Sequence, residues 1–112
     1  MNQDYFKETQ FAVTISDENG VIIYMNEKSA LTFQKDGGYD LIGKNLLDCH
    51  PEPSRSMIVK MMQNHNVNSY TIEKNGVKKL INQTPRFESG QFKGYIELSI
   101  EIPVEMPHFI RK

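Results

Sequence analysis

The chain has 112 residues and a formal net charge of −1, with 13 basic and 14 acidic side chains mixed along the sequence. This length fits one domain with a single core, and the mixed charge disfavours a surface for nucleic acid or an anionic membrane. No apolar run reaches the roughly 18 residues of a membrane helix, and no signal-peptide pattern precedes Phe11. Because the lone cysteine, Cys49, excludes an internal disulfide, a cytoplasmic location is expected.

The segment 11–33 predicts a strand, a tight turn, a second strand and a short helix. Apolar and polar residues alternate over 11–16, the period of a strand with one buried face. Asn19 and Gly20 tolerate the positive φ angles of a hairpin turn. An apolar run then leads to Asn26, which we expect to be the N-cap of the helix.

The middle of the chain predicts short helices followed by one longer helix. Gly37 and Gly38 stop the first helix, and residues 39–48 fit one or two helical turns around a glycine. Pro51 and Pro53 prevent a continuous helix, so the longer helix is expected to start with Ser54 as its N-cap and to run to residue 64 or 65. Its apolar stripe lies at helical spacing and comprises Met57, Ile58, Met61 and Met62.

From residue 67 the period changes to two, which predicts three strands in a meander. The first two strands, 67–74 and 77–84, are joined by a hairpin turn at Asn75 and Gly76. Pro85 is expected to end the second of them, and residues 88–91 form the next turn. The last strand has one apolar set of alternating residues, which we expect to face the helices: Phe92, Gly94, Ile96, Leu98, Ile100 and Ile102.

Two local motifs and the order of all the elements resemble PAS sensor domains. The hairpin matches the pattern I-S-D-x-x-G-x-I-x-Y-x-N at Gly20, Tyr24 and Asn26, and residues 41–48 are similar to a PAS segment reading L-I-G-K-x-L-L-D. The resemblance implies an α+β PAS fold, in which short helices and one longer helix pack on one face of a five-stranded antiparallel sheet. It divides the chain into an N-terminal flanking segment (1–10), a PAS domain (11–103) and a C-terminal tail (104–112).

The two ends of the chain leave alternatives open. The first ten residues are polar except for Tyr5 and Phe6, and they fit either a flanking helix or a frayed tail. The tail contains Pro103 and Pro107, so it does not continue as a helical linker. Its apolar residues either fold back on the domain or reach a neighbour. The chain is either a free-standing PAS protein or a piece of a longer sensor.

The resemblance implies a sensor module in signal transduction without catalysis of its own. Such a module binds a small ligand, mediates protein–protein interaction, or does both, and PAS domains often dimerise through a flanking helix. A homodimer and a signalling partner protein are therefore expected. The space between helices and sheet is the expected ligand pocket, and its predicted lining comprises Leu47, His50, Met57, Ile58, Met61, Tyr70, Ile81, Gln83, Ile96 and Leu98.

No cofactor is evident from the sequence, and haem and flavin are the alternatives. Haem needs an axial ligand, for which His50 and His65 are the candidates. Light-sensing flavin domains carry a reactive cysteine where this chain has Leu46, so covalent flavin chemistry is not expected. Non-covalent flavin binding would use Asn82 or Gln83, only one of which can face the pocket.

A small enzyme that uses Cys49 and His50 is a third alternative. Adjacent side chains rarely converge on one point, and the chain has no Cys-x-x-Cys or His-x-x-x-His partner motif. A catalytic pair also needs an orienting third group, and His108 lies close to the tail. Neither catalysis nor a metal site is therefore expected.

Overall fold

A computed structural model describes residues 3–112 of this chain, and the first two residues of the predicted flanking segment lie outside the described residues. The strands are β1 (Ala12–Ser16), β2 (Ile22–Met25), β3 (Asn68–Lys74), β4 (Val77–Glu88) and β5 (Gln91–Ile102). The α-helices are α1 (Glu27–Thr32), α2 (Leu46–Cys49) and α3 (Ser54–Asn64), with 3₁₀ turns at Gln34–Asp36 and Gly38–Leu41. None of the helices within 3–112 is long and apolar enough to cross a membrane.

The five strands form one antiparallel sheet in the order β2-β1-β5-β4-β3. β5 therefore lies at the centre, and the helices pack on one face of the sheet. The predicted α+β architecture is confirmed.

The hairpin turns form where the sequence predicts them, because the required backbone angles fall on suitable residues. Gly20, Gly76 and Gly90 all have positive φ. In the first turn, the carboxylate of Asp17 accepts hydrogen bonds from the backbone N–H groups of Asn19 and Val21, both at 2.9 Å.

Two predicted boundaries are wrong. β4 continues through Pro85 to Glu88. Proline is tolerated here because β3 stops pairing with β4 at Gln83, so no β3 residue lies opposite Pro85 to accept the N–H that proline lacks. The N-cap position of α3 is held by Pro53 rather than by Ser54. The carboxylate of Glu52 accepts the backbone N–H of Ser56 at 2.7 Å and so satisfies one free donor of that helix end.

Asn26 ties β1, α1 and the N-terminal segment together. Its Oδ1 accepts the N–H groups of Val13 and Ser29 at 2.9 and 3.0 Å, which confirms the predicted N-cap. Its Nδ2 donates to the carbonyl oxygens of Phe6 and Phe11 at 2.8 and 2.9 Å. The residue is only 1% exposed, so its hydrogen bonds lie in a corner of the molecule that is closed to water.

The strand register assigns each side chain to one of the two faces of the sheet. Thr14, Glu97 and Gln83 are neighbours across β1, β5 and β4 on the face toward the helices, which we call the inner face. Ile15 and Ile96 pair on the opposite, outer face. The prediction for β5 is therefore wrong for Ile96, Leu98, Ile100 and Ile102, which point away from the helices, whereas Phe92 packs against His65 at the end of α3.

The structure bears on the alternatives that the sequence left open at the two ends of the chain. Residues 3–10 contain a turn and no helix, and Asp4 accepts a hydrogen bond from the hydroxyl of Tyr24 at 2.6 Å, which holds this segment against the outer face beside Ile15. The apolar tail residues do not fold back on the domain. They are 60–85% exposed and comprise Val104, Met106, Phe109 and Ile110.

Candidate functional site

A cavity of about 540 Å³ lies between the inner face of the sheet and the helical side of the molecule. Its apolar lining comprises Ile22, Met25, Phe33, Leu41, Leu46, Ile58, Met61 and Met62. Its polar lining comprises Thr14, Ser16, Asp36, Lys44, Asp48, Cys49, His50, Gln83, Tyr95 and Glu97. A largely apolar concavity of this size with several convergent polar groups is typical of a small-molecule site.

The cavity exists because α3 does not pack closely on the sheet. No residue of α3 is buried, and the helix is joined to the sheet near its C-terminal end. There the hydroxyl of Tyr95 lies 2.8 Å from the carbonyl oxygens of both Met61 and Asn66. His65, which ends the helix with a φ of 56°, stacks on Phe92 with ring centroids 4.0 Å apart.

A row of hydrogen-bonded side chains crosses the inner face of the three strands β3, β4 and β5. Asn68 Nδ2 donates to Gln83 Oε1 at 2.9 Å, and Gln83 Nε2 donates to Glu97 Oε2 at 2.8 Å. We call Asn68, Gln83 and Glu97 the polar row. The side chains meet because the three residues are register neighbours on antiparallel strands.

Thr14, the next residue across the inner face of the sheet, continues the polar row toward α1. Thr14 is the register partner of Glu97 on β1. Its hydroxyl oxygen lies 2.5 Å from that of Ser29, which is fully buried. The hydroxyl pair is therefore a fixed polar group beside the polar row.

His50 lines the cavity with a defined ring orientation. Its Nδ1 lies 2.8 Å from the carbonyl oxygen of Leu46. Because a carbonyl oxygen only accepts, Nδ1 carries the proton in the neutral ring and Nε2 is the free acceptor. The hydrogen bond of Nδ1 goes to the backbone and not to Cys49.

Burial raises the pKa of the Tyr95 hydroxyl, and it also raises the pKa of Tyr70, to which the negative charge of Glu97 contributes next. Both side chains therefore remain neutral hydrogen-bonding groups at ordinary pH. Tyr70 lies on the inner face of β3, where its ring is 43% exposed.

The structure brings four of the ten predicted pocket residues into the lining, namely His50, Ile58, Met61 and Gln83. Ligand binding by these four stays a prediction. Of the two haem-ligand candidates, His65 lies outside the lining because its ring packs on Phe92. Of the two flavin-contact candidates, Gln83 faces the cavity and Asn82 lies on the outer face beside Leu98.

Six predicted pocket residues lie outside the lining: Leu47, Met57, Tyr70, Ile81, Ile96 and Leu98. Ile96 and Leu98 point to the outer face, because the two faces of β5 were exchanged in the prediction. Met57 is exposed on α3, and Leu47 is half-buried on α2. Tyr70 and Ile81 share the inner face with the polar row but lie beyond the cavity wall.

Sequence reasoning missed most of the polar lining. Thr14, Tyr95 and Glu97 were assigned to wet faces, since polar residues in an alternating strand usually meet solvent. One available signal was that Glu97 belongs to the longest alternating strand, which fits a central position. A polar residue in a central strand points to an internal polar site.

Comparison with known proteins relates the chain to solved structures alone, because no family model and no curated protein matches it. The Aer2 receptor of Vibrio cholerae superposes with a TM-score of 0.60 at 17% identity, covering 83% of this chain and 95% of that one. The PAS domain of histidine kinase ThkA has a TM-score of 0.61 at 19% identity, covering 82% and 99%. The chain has the PAS fold.

A longer protein of the same fold is the VqmA dimer of Vibrio cholerae. It matches 96% of this chain and 54% of its own length, with a TM-score of 0.61 at 18% identity. At this level of identity the likeness establishes the fold, and the PAS resemblance of the sequence motifs agrees with it.

Proposed function

We propose that this chain is a cytoplasmic PAS sensor module that binds a small ligand in the cavity between α3 and the sheet. The observation that carries the proposal is the cavity of about 540 Å³, in which an apolar lining surrounds the Gln83 and Glu97 side chains of the polar row. Ligand sites combine these features, since apolar walls supply affinity and a few polar groups fix orientation.

The structural neighbours support a role in sensing. One is described as a dual PAS-haem oxygen sensor, another as the sensor region of a sensor histidine kinase, and a third as VqmA bound to DPO. Ligand identity does not transfer at 15–19% identity, so the ligand has to be argued from this chain's own residues.

Native mass spectrometry and a thermal-shift screen of small molecules test the proposal. A matched pair of variants on α3 supplies the control: Ile58→Trp fills the cavity, whereas Val59→Trp places the same ring on the exposed side of the helix. We expect ligands that stabilise the wild type and Val59→Trp but not Ile58→Trp. Equal stabilisation of both variants, or no binding of any compound to the wild type, would contradict the proposal.

A haem-based sensor is a second candidate, favoured by the contact that His50 makes. The hydrogen bond from Nδ1 to the Leu46 carbonyl leaves Nε2 free, the arrangement found for metal-bound histidines. Addition of haemin should then produce a Soret band that His50→Ala abolishes and His65→Ala retains, since His65 packs on Phe92 outside the lining. A spectrum unchanged by His50→Ala would exclude this candidate.

We further propose that the outer face of the sheet forms a homodimer. The apolar residues of β5 on this face are only half-buried in one chain, and they comprise Ile96, Leu98, Ile100 and Ile102. One neighbour of the same fold is described as a dimer. A contiguous apolar surface of this kind is typical of a protein interface, and a signalling protein is the alternative occupant.

Light scattering tests the dimer with two charge insertions. Leu98→Glu places a carboxylate on the outer face and should convert the dimer to a monomer. Ile72→Glu places one on the inner side of the edge strand β3, where the residue is exposed, and should leave the dimer intact. A wild-type monomer at all concentrations would refute the homodimer and leave a different partner protein for this face.

A further inference from the structure

We infer that the cavity selects a small cationic ligand that donates hydrogen bonds, such as a ring-bearing amine or amidine, and that Glu97 is the residue that receives it. This inference rests on the proposed function as a ligand-binding module. It adds the chemical class of the ligand and the side chain that sets the selectivity.

The direction of the hydrogen bonds in the polar row leads to this class. Asn68 donates to Gln83, and Gln83 donates to Glu97 Oε2, so the row ends on a group that can only accept. Within residues 3–112 no side chain or backbone group donates to Glu97 Oε1. The cavity therefore offers a ligand an oriented acceptor, and a complementary ligand brings the donor.

Among the described residues, the only hydrogen bond to this carboxylate is the one from Gln83 to Oε2, which leaves Oε1 for a ligand. Thr14, the register neighbour of Glu97 on β1, has its hydroxyl engaged with Ser29. The two ion pairs among the described residues join Lys28 to Glu101 and Arg86 to Glu88, so neither includes Glu97. A ligand cation would therefore meet the Glu97 carboxylate without displacing a protein cation.

The charge of the lining favours the same class of ligand. Besides Glu97, the lining contains two carboxylates, Asp36 and Asp48, against the single lysine Lys44. Asp36, Asp48 and Lys44 are exposed and lie toward solvent. The resulting negative potential draws cations into the cavity and disfavours anions.

The apolar walls determine the rest of the ligand. Ile22, Met25 and Phe33 lie on one side of the cavity and Ile58 and Met61 on the α3 side. An aromatic or aliphatic ring fits between such walls, and methionine side chains adapt to its shape. The ligand is accordingly expected to carry its charge at one end of an apolar body.

Isothermal titration calorimetry with three probes that share a phenylethyl group tests the inference: phenethylamine, 2-phenylethanol and 3-phenylpropionate. The proteins are the wild type, Glu97→Gln, Glu101→Gln and the cavity-filling variant Ile58→Trp. Glu97→Gln keeps the shape and an acceptor oxygen but removes the charge. Glu101→Gln is the matched control, because it removes a carboxylate from the same face of β5 outside the cavity.

We expect the amine to bind the wild type about tenfold or more tightly than the alcohol and the carboxylate, as a hydrogen bond to a charged group allows. Glu97→Gln should lower the amine affinity about tenfold and change the alcohol affinity by less than about threefold. Glu101→Gln should leave all three affinities unchanged.

Two kinds of contrary result are distinguishable. If the alcohol or the carboxylate binds as tightly as the amine, or if Glu97→Gln keeps the amine preference, the inference is overturned while ligand binding in the cavity stands. If none of the probes binds the wild type, or if Ile58→Trp does not weaken binding, the proposed function fails together with the inference. The ranking of the three probe affinities for the wild type tests the preference for a cation even if Glu97→Gln does not fold.

Discussion

Two regions of the molecule are built in opposite ways. The corner where β1 and β2 meet α1 is closed, since Val13, Asn26 and Ser29 are at most 1% exposed. In the other region α3 has no buried residue and encloses a cavity with α2. Because local packing sets local stability, we expect the corner, which we call the scaffold, to be rigid and α3 to open more easily. Under the proposed function, α3 is then the wall that adapts to a ligand.

The largest loss of stability is expected from a substitution in the scaffold at a position with no space for a side chain. A Cβ at Gly94 would overlap the carbonyl oxygen of Ser16 and lie 2.7 Å from the backbone carbonyl carbon of Asp17, at a φ of 124°. Gly94→Ala should therefore lower the free energy of unfolding by roughly 4 kcal/mol or more. Urea denaturation measures this change.

Gly90→Ala is the matched control, because Gly90 also has positive φ but its added Cβ would meet nothing within 4 Å. We expect a cost of about 1–2 kcal/mol from backbone strain alone. Equal costs for the two variants would show that β5 does not approach β1 as closely as described.

The next largest loss of stability is expected at one of two asparagine N-caps, which differ in burial. Asn26→Ala leaves the buried N–H groups of Val13 and Ser29 without an acceptor and should cost about 3 kcal/mol. Asn45 caps α2 and accepts the N–H of Leu47 at 2.9 Å, but it is less buried, so Asn45→Ala should cost about 1 kcal/mol. Chemical denaturation of both variants measures the difference, and a larger loss for Asn45→Ala would contradict the comparison.

A third pair tests packing directly. Val13 is 1% exposed in the closed corner, and Val13→Ala should cost about 2 kcal/mol through the void it leaves. Ile58 faces a cavity that is already present, so Ile58→Ala should cost less than about 1 kcal/mol although it removes more atoms. If Ile58→Ala proves the more costly of the two, α3 packs on the sheet without a cavity.

The smallest effect concerns the hydroxyl of Tyr95, the group that joins α3 to the sheet. Tyr95→Phe should cost about 1 kcal/mol at neutral pH through the lost hydrogen bond. Burial raises the pKa of this hydroxyl above its ordinary value of 10.0, so in strong base the unfolded chain loses its proton first. The contribution of Tyr95 is therefore complete below pH 10.0 and declines as the pH rises further.

Urea titrations of the wild type and Tyr95→Phe at about pH 7 and about pH 11 measure that decline. The stability difference between the two proteins should be smaller at the higher pH. A difference that stays constant or grows would mean that burial does not favour the neutral hydroxyl.

Local features of this fold were predictable from the sequence. The turns at Gly20 and Gly76 and the cap at Asn26 depend on residues close together in the chain, which a short pattern reveals. The burial of Asn26 was not predictable, since its Nδ2 binds the carbonyl of Phe6, 20 residues earlier. The constraint on Gly94 likewise depends on a β1 strand 79 residues away, as the contact between Tyr95 and Ser16 shows.

The cavity lining was harder to predict than the fold. An alternating strand shows which residues share a face, but it does not show which face meets the helices. In β5 the apolar set containing Ile96 and Leu98 forms the outer face, while Tyr95 and Glu97 point into the cavity. This strand therefore reverses the usual rule that the apolar face packs inward, because a cavity and not a closely packed core lies beneath the helices.

Hydrogen exchange of the backbone amides in the ligand-free protein tests the central contrast most directly. The account predicts that amides in the last two turns of α3 exchange through local opening, with free energies well below that of global unfolding, whereas those of Val13 and Ser29 approach the global value. Equal protection of α3 and the closed corner would contradict it, because a helix packed as tightly as the scaffold would not be the adaptable wall of a ligand site.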